Sequence, residues 1–177
     1  MADLGEAPLA GEVPPGALGS LAVLDLADEF RALVDGLEAA RVDFAVCGGL
    51  AFAIHARPRA TVDVDLLLPI EEIERAKQVA RDRGYRIEAG PLVIRKDVIE
   101  IHRLSKPDPE TGDLLSLDLL VVTPALAPVW ETRERVGWEH GTIRVVSRAG
   151  LATMKRLRAS GQDLDDIRML EAEDDTD

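Results

Sequence analysis

Two aspartates at alternate positions of a short apolar segment are the residues of this sequence best suited to chemistry. Asp63 and Asp65 lie in the run TVDVDLLL, residues 61–68, whose β-branched and apolar composition predicts a strand. Residues i and i+2 of a strand point to the same face, so the two carboxylates are expected to be neighbours. Neighbouring carboxylates repel each other unless a cation lies between them. Because Mg²⁺ prefers oxygen ligands, the pair predicts a divalent-cation site.

Two consecutive glycines precede this pair and predict a place for phosphate. Gly48 and Gly49 lie between the apolar run 43–47, a predicted strand, and the Ala-rich segment 50–56, a predicted helix. Glycine lets a backbone approach a ligand closely, and the N–H groups at a helix start favour anions. The sequence therefore predicts a phosphate-binding turn followed by a metal-binding strand.

The remaining pattern predicts the elements that must position these residues. Apolar spacing and capping residues indicate helices over 24–40, 69–83, 147–158 and 163–170. Further strands are predicted over 85–88, 92–95, 98–104, 114–122 and 143–146. This order is neither a regular alternation of strand and helix nor all-β. It predicts a mixed α/β (α+β) fold with a mixed central sheet flanked by helices.

Composition and charge exclude several classes of protein. The chain has 177 residues, of which 46% are apolar and 31% charged, as in a soluble globular domain. A net charge of −12 argues against strong nonspecific binding to nucleic acid. The single cysteine allows no intrachain disulfide, and no apolar run is long enough for a membrane span. We expect a cytoplasmic protein with a flexible leader (1–20), one domain (21–170) and an acidic tail (171–177).

The Gly48-Gly49 turn, the short helix and the strand at 62–66 (VDVDL) together resemble the signature of the nucleotidyltransferase superfamily. The run RATVDVD, residues 59–65, resembles the version in AbiEii-like and related small bacterial proteins, some of which are toxins of toxin–antitoxin pairs. The stretches LATMK (151–155) and GQDLDDI (161–167) are similar to that group's ending. The resemblance covers about residues 24–170 and implies a nucleotidyltransferase fold of the DNA polymerase β type.

This resemblance implies transfer of NMP from an NTP to an acceptor hydroxyl on a tRNA end, a protein or a small molecule. Asp63 and Asp65 would hold two Mg²⁺ (or Mn²⁺) ions. Asp118, a lone charge in the apolar strand LLSLDLLVV, is the candidate third carboxylate, which would ligate the second ion and help deprotonate the acceptor. The implied nucleotide-binding residues, which would contact the phosphates or the leaving pyrophosphate, are Gly48, Gly49, Arg59, Thr61 and Lys155.

The predicted carboxylate ligands have plainer alternatives. Asp63 and Asp65 could be solvated charges on an exposed strand face. Asp118 could pair with an arginine across the sheet. Glu100, which alternates with His102 on the strand VIEIHRL, is a rival for the third ligand.

The remaining residues and the whole protein also have alternatives. Arg59 could form a salt bridge with an aspartate, and Lys155 could be a surface lysine on an amphipathic helix. Asp163 and Asp166 could simply be charges near a helix N-terminus. The protein could also be a catalytically weak or inactive module of this fold that acts through a bound nucleotide or a cognate partner protein, or a scaffold with no ligand.

Overall fold

A mixed sheet forms the centre of the computed structural model, which describes residues 26–57, 61–95, 97–158 and 161–172. Its strands are β1 (Ala45–Val46), β2 (Asp63–Leu68), β3 (Ile87–Glu88), β4 (Leu92–Val93), β5 (Glu100–Pro107), β6 (Leu114–Val121), β7 (Glu134–Trp138) and β8 (Gly141–Val145). The strand order is β3-β5-β6-β2-β1-β8-β7, and β4 also pairs with β5. β2 runs parallel to β6 and β1 parallel to β8, while the other neighbours are antiparallel.

Helices flank this sheet, which confirms the predicted mixed α/β architecture. They are α1 (Leu26–Ala39), α2 (Gly48–His55), α3 (Ile73–Asp82), α4 (Ala127–Glu131), α5 (Arg148–Arg158) and α6 (Gly161–Ala172). A 3-10 turn, Ile70–Glu72, leads into α3 where the sequence predicts one continuous helix from residue 69. None of the helices within the described ranges has both the length and the apolar character that a membrane span requires.

The two faces of the sheet are covered by different helices. On β5, Leu104 and Lys106 share one face, and Lys106 Nζ lies 2.6 Å from the Glu29 carboxylate of α1. Helix α1 buries a stripe at helical spacing against this face: Leu26, Phe30, Leu33, Val34 and Leu37. The opposite face carries Asp63 and Asp65, and α5 packs over it. The acidic pair therefore lies between the sheet and the C-terminal helices.

Two short elements fall in a stretch for which the sequence indicated no structure. Helix α4 is five residues long with Pro128 in its first turn, a position that tolerates proline. β7 follows it and pairs with β8, and Val129 and Val136 from these two elements are buried. Helix α4 covers little more than one helical turn, and β7 (ERVGW) lacks a regular apolar alternation, so the sequence left both unassigned.

The predicted termini fall largely outside the described residues. The leader predicted over 1–20 lies wholly outside them. The tail predicted over 171–177 begins inside α6, which continues to Ala172, and its last five residues lie outside the described part of the chain.

Candidate active site

Three carboxylates meet on two adjacent parallel strands. The register of β2 and β6 places Asp63 beside Ser116 and Asp65 directly beside Asp118. Residues paired in this way point to the same face of a sheet, so Asp63, Asp65 and Asp118 lie together. The structure thus brings together the three carboxylates that the sequence singled out, although Asp118 lies more than fifty residues from the other two in the chain.

The Gly48-Gly49 turn packs directly on Asp65. Gly48 has a φ of +60°, and a Cβ at this position would overlap the Asp65 carboxylate, so glycine is required for both reasons. The Gly49 N–H forms a hydrogen bond with the Asp65 carboxylate, and the Cys47 N–H donates to the Asp65 carbonyl oxygen at 2.9 Å. The turn that begins α2 therefore fixes the position of Asp65.

Burial and mutual repulsion make the charged forms of the pair unfavourable. Burial is the main cause that raises the pKa of Asp65 to about 7, and the charges of Asp118 and Asp63 add to it. Arg158 and the Gly49 N–H act in the opposite direction. Burial, followed by the Asp118 charge, also raises the pKa of Asp63. A cation bound between these two carboxylates would relieve the repulsion.

Asp118 already has a cationic partner. Arg103 on β5 lies opposite it in the register, and donates from Nε to Oδ1 and from Nη2 to Oδ2, both at 2.7 Å. Asp118 is only 5% exposed, whereas the Arg103 side chain is half exposed. The hydrogen bonds to Asp118 raise the pKa of the Arg103 guanidinium above its ordinary value. The arginine across the sheet, left open by the sequence, is therefore present.

The rival ligand Glu100 lies on the other side of the sheet. It precedes Arg103 by three residues on β5, so strand alternation turns it away from the face of Asp118. Its carboxylate forms a hydrogen bond with His102 at 2.8 Å. Glu100 is thus separated from Asp63 and Asp65 by the thickness of the sheet.

A pocket opens beside Asp65 between the sheet and α5. Its polar lining comes from Gly48, Asp65, Lys155, Arg158 and Asp163. The rest of the wall is apolar and consists of Cys47, Ile99, Ile101, Leu120, Leu126, Leu151 and Met154. An anionic group near Gly48 and Arg158 and an apolar group against this wall could occupy the pocket together.

Lys155 is buried, so the alternative of a surface lysine is wrong. Its exposed fraction is 8%, and its Nζ lies 2.6 Å from Asp166 Oδ2 and 3.4 Å from Asp163 Oδ1. The ammonium also lies 5.5 Å from the centre of the Phe52 ring, within cation–π range. Asp163 and Asp166 are likewise buried, and they are partners of this lysine in addition to being near a helix N-terminus.

Thr61 and Arg59 are the other two predicted nucleotide-binding residues, and both precede β2 in the chain. Thr61 Oγ1 donates to the Asp63 carbonyl oxygen at 3.3 Å, and a Cβ on Gly49 would come within 2.8 Å of that hydroxyl. Arg59 lies outside the described residues. The site also contains Arg103 and Arg158, which sequence reasoning missed. Their place depends on strand register and helix packing, for which a single charged residue gives no signal.

Asp63 and Asp65 fit one divalent cation better than the three carboxylates fit two. Among the described residues, neither member of the pair forms an ion pair, and both have raised pKa values. Asp118, in contrast, has both oxygens bound to Arg103. Within the described ranges, no group of three Asp, Glu, His or Cys side chains has an arrangement suited to a metal ion.

The architecture is that of the nucleotidyltransferase fold. It is similar to TM1012 of Thermotoga maritima, provisionally assigned as a nucleotidyltransferase, with a TM-score of 0.58 and 14% identity over 83% of this chain and 92% of that chain. It is also similar to the antibiotic-resistance factor ANT(2'')-Ia, with a TM-score of 0.55 and 12% identity over 82% of each chain. No protein-family model and no curated protein matches the sequence. At these identities the likeness establishes the fold.

Proposed function

We propose that the protein is a Mg²⁺- or Mn²⁺-dependent nucleotidyltransferase that moves NMP from an NTP to an acceptor hydroxyl. The observation that carries this proposal is the pair Asp63 and Asp65 on one face of β2, with Asp65 held beside the Gly48 turn in the wall of a pocket. Two half-buried carboxylates with raised pKa values are costly to keep charged unless a cation is bound there. The shared nucleotidyltransferase fold supports the same reading.

In this proposal the residues of the site have separate roles in the transfer. Asp63 and Asp65 would hold the ion, which when bound neutralises charge on the phosphates of the NTP. The backbone at Gly48 and the guanidinium of Arg158 border the pocket where these phosphates would lie. The acceptor oxygen forms a bond to the α-phosphorus, and the bond from that phosphorus to the bridging oxygen breaks. Pyrophosphate leaves with the electron pair, and the hydroxyl proton passes to solvent.

The apolar wall of the pocket favours a small acceptor or a nucleobase over a large polyanion. Ile101, Leu120 and Met154 offer no charge to a phosphate backbone, and the chain carries a net charge of −12. Likeness of fold to an antibiotic-resistance factor is in keeping with a small-molecule acceptor. A tRNA end or a protein side chain would also supply an acceptor hydroxyl.

A nucleotide-binding module without turnover is the second candidate. Two groups with predicted catalytic or binding roles already have internal partners: Asp118 binds Arg103 and Lys155 binds Asp166. Such a module would keep the fold and the pocket and act through a partner protein. It predicts binding of an NTP with no release of pyrophosphate.

Thermal stability with nucleotide and metal tests the proposal. Melting temperature is measured with ATP, CTP, GTP and UTP, each with and without Mn²⁺, for the wild type and Asp63→Asn/Asp65→Asn. A ligand that binds only the folded state raises the melting temperature. At a hundredfold excess over Kd, it adds about 2.7 kcal/mol to the free energy of unfolding. The matched control is Asp35→Asn/Asp113→Asn, which removes two exposed aspartates away from the pocket.

We expect a metal-dependent shift with at least one nucleotide in the wild type and the control, and none in Asp63→Asn/Asp65→Asn. Pyrophosphate release with that nucleotide and a panel of hydroxyl acceptors then separates enzyme from binding module. A toxin role, which some members of the small bacterial group that the sequence resembles have, is tested by induced expression in bacteria. It predicts growth arrest that the same double substitution relieves. An unshifted melting temperature with every nucleotide contradicts both candidate functions.

A further inference from the structure

We propose that Arg103 takes the place of a second metal ion, so that the site binds a single divalent cation on Asp63 and Asp65. The inference rests on the proposed function of this site and specifies how its charges are balanced. It departs from the sequence-based expectation that Asp118 is a ligand of a second ion.

The geometry of Arg103 is that of a fixed ion pair. Its guanidinium meets Asp118 with two parallel hydrogen bonds of 2.7 Å, the bidentate arrangement that matches a carboxylate best. β5 and β6 place the two residues directly opposite each other in an antiparallel register of seven paired positions. Each oxygen of the Asp118 carboxylate therefore already accepts one strong N–H donor, and the positive charge of Arg103 lowers its attraction for a further cation.

Among the four side chains Asp63, Asp65, Asp118 and Arg103, leaving aside Arg158 at the pocket wall, the charges balance with one divalent ion. Asp63, Asp65 and Asp118 carry three negative charges when ionised, and Arg103 supplies one positive charge. A single divalent cation on Asp63 and Asp65 brings the sum to zero. A second divalent cation beside Arg103 would place a net positive charge in a partly buried site, where repulsion between like charges is strong.

Arg103 also keeps donors that face away from Asp118. A guanidinium has five N–H groups, of which the ion pair uses two. The side chain is half exposed, so the remaining donors reach solvent on the same face of the sheet as Asp63. They are placed to contact a phosphate of the NTP. Arg103 thus serves as a fixed cation for the substrate, while Asp118 serves to position Arg103.

Counting bound Mn²⁺ tests this inference without any assay of turnover. Free Mn²⁺ is followed by electron paramagnetic resonance as it is titrated into the full chain at pH 8. We expect one Mn²⁺ per chain in the wild type. Asp118→Asn should also bind one, with a Kd within about threefold of the wild type, because Asp118 is not a ligand. Arg103→Lys should bind one as well, since it retains the positive charge.

Arg103→Met should instead bind two Mn²⁺ ions per chain. This change frees the Asp118 carboxylate beside Asp65, so that a second ion can bind there. Far-ultraviolet circular dichroism checks that this variant folds; if it does not, the wild type and Asp118→Asn decide the question by themselves.

The failure of this inference differs from the failure of the proposed function. Two Mn²⁺ in the wild type, a Kd raised tenfold or more in Asp118→Asn, or only one Mn²⁺ in folded Arg103→Met would overturn the role of Arg103 and leave the transferase proposal intact. No Mn²⁺ in the wild type would overturn the metal site itself and both proposals with it.

Discussion

Gly48 touches Asp65 so closely that neither residue can change without affecting the other. The Gly48→Ala change should cost stability twice, from a left-handed backbone, at about 1–2 kcal/mol, and from overlap of the new methyl with the Asp65 carboxylate. We expect a loss clearly above 2 kcal/mol in urea unfolding, with Mn²⁺ affinity at least tenfold weaker. Gly112→Ala is the matched control, because its φ is +76° and nothing lies within 4 Å of the added methyl. Equal effects of the two changes would show that the contact with Asp65 has no energetic consequence.

Asp65 gives the site a pH dependence whose sign is fixed by its raised pKa. The folded-state pKa is about 7, above the value of about 3.9 for an unfolded aspartate. The folded state therefore holds the proton more tightly, and this group's contribution to stability falls as pH rises from about 4 to 7. In the absence of metal, Asp65→Asn should melt above the wild type at pH 8 and close to it at pH 4.

The same proton competes with the metal. Because a ligand carboxylate must be deprotonated, Mn²⁺ affinity of the wild type should rise up to about tenfold per pH unit below pH 7 and level off above it. Titrations at pH 5.5, 6.5, 7.5 and 8.5 measure this, with Asp35→Asn as the control of equal charge change. A flat profile, or an Asp65→Asn variant that melts below the wild type at pH 8, contradicts the assignment.

At the scale of elements, buried ion pairs of Lys155 and an exposed ion pair of Arg156 join the same two helices. Lys155 of α5 contacts Asp166 of α6 at 2.6 Å, with both side chains at most one-tenth exposed, whereas Arg156 and Glu171 pair on the surface. Removing one member of a buried pair costs about 3–5 kcal/mol, but an exposed pair contributes about 0–1 kcal/mol. Lys155→Met should therefore destabilise the protein severely and Arg156→Met hardly at all.

Chemical unfolding of these two variants measures the difference directly. The Lys155→Met loss should persist at 1 M salt, because a buried pair is screened much less than an exposed one. A loss of less than 1 kcal/mol in Lys155→Met would show that the helices are held mainly by apolar packing at Leu151 and Leu170. That result would also leave Lys155 free for the nucleotide-binding role that the sequence implies.

The sequence predicted the elements whose pattern is local and missed what depends on register. Asp63 and Asp65 share a face because of the two-residue period of one strand, which can be read from the sequence without the fold. The meeting of Arg103 with Asp118 depends on how β5 and β6 align across the turn that joins them. No pattern within either strand fixes that alignment. The alternative of a surface position for Lys155 was wrong for a similar reason: its carboxylate partners lie on the next helix.

At the scale of the whole molecule, a strongly acidic chain carries a candidate site that contains several cationic side chains. The net charge is −12, while the site gathers Arg103, Arg158 and Lys155 around its carboxylates. Long-range repulsion should therefore keep polyanions away, and a small nucleotide that brings its own divalent cation should be affected far less. We therefore expect the net charge to act as a filter on the size and charge of the substrate.

Binding of a fluorescently labelled RNA hairpin tests this filter. Nonspecific affinity for nucleic acid comes mainly from lysine and arginine contacts to phosphates, which release counterions. We therefore expect anisotropy titrations at 150 mM salt to show no saturation up to about 100 μM protein, the weak end of the Kd range of typical nonspecific binders. The same RNA at 20 mM salt is the control for residual weak attraction. A Kd below 1 μM that weakens steeply with salt would instead reveal a basic surface and make an RNA end the leading acceptor. Weak binding at both salt concentrations would favour a small-molecule acceptor, for which the apolar wall of Ile101, Leu120 and Met154 already offers a surface.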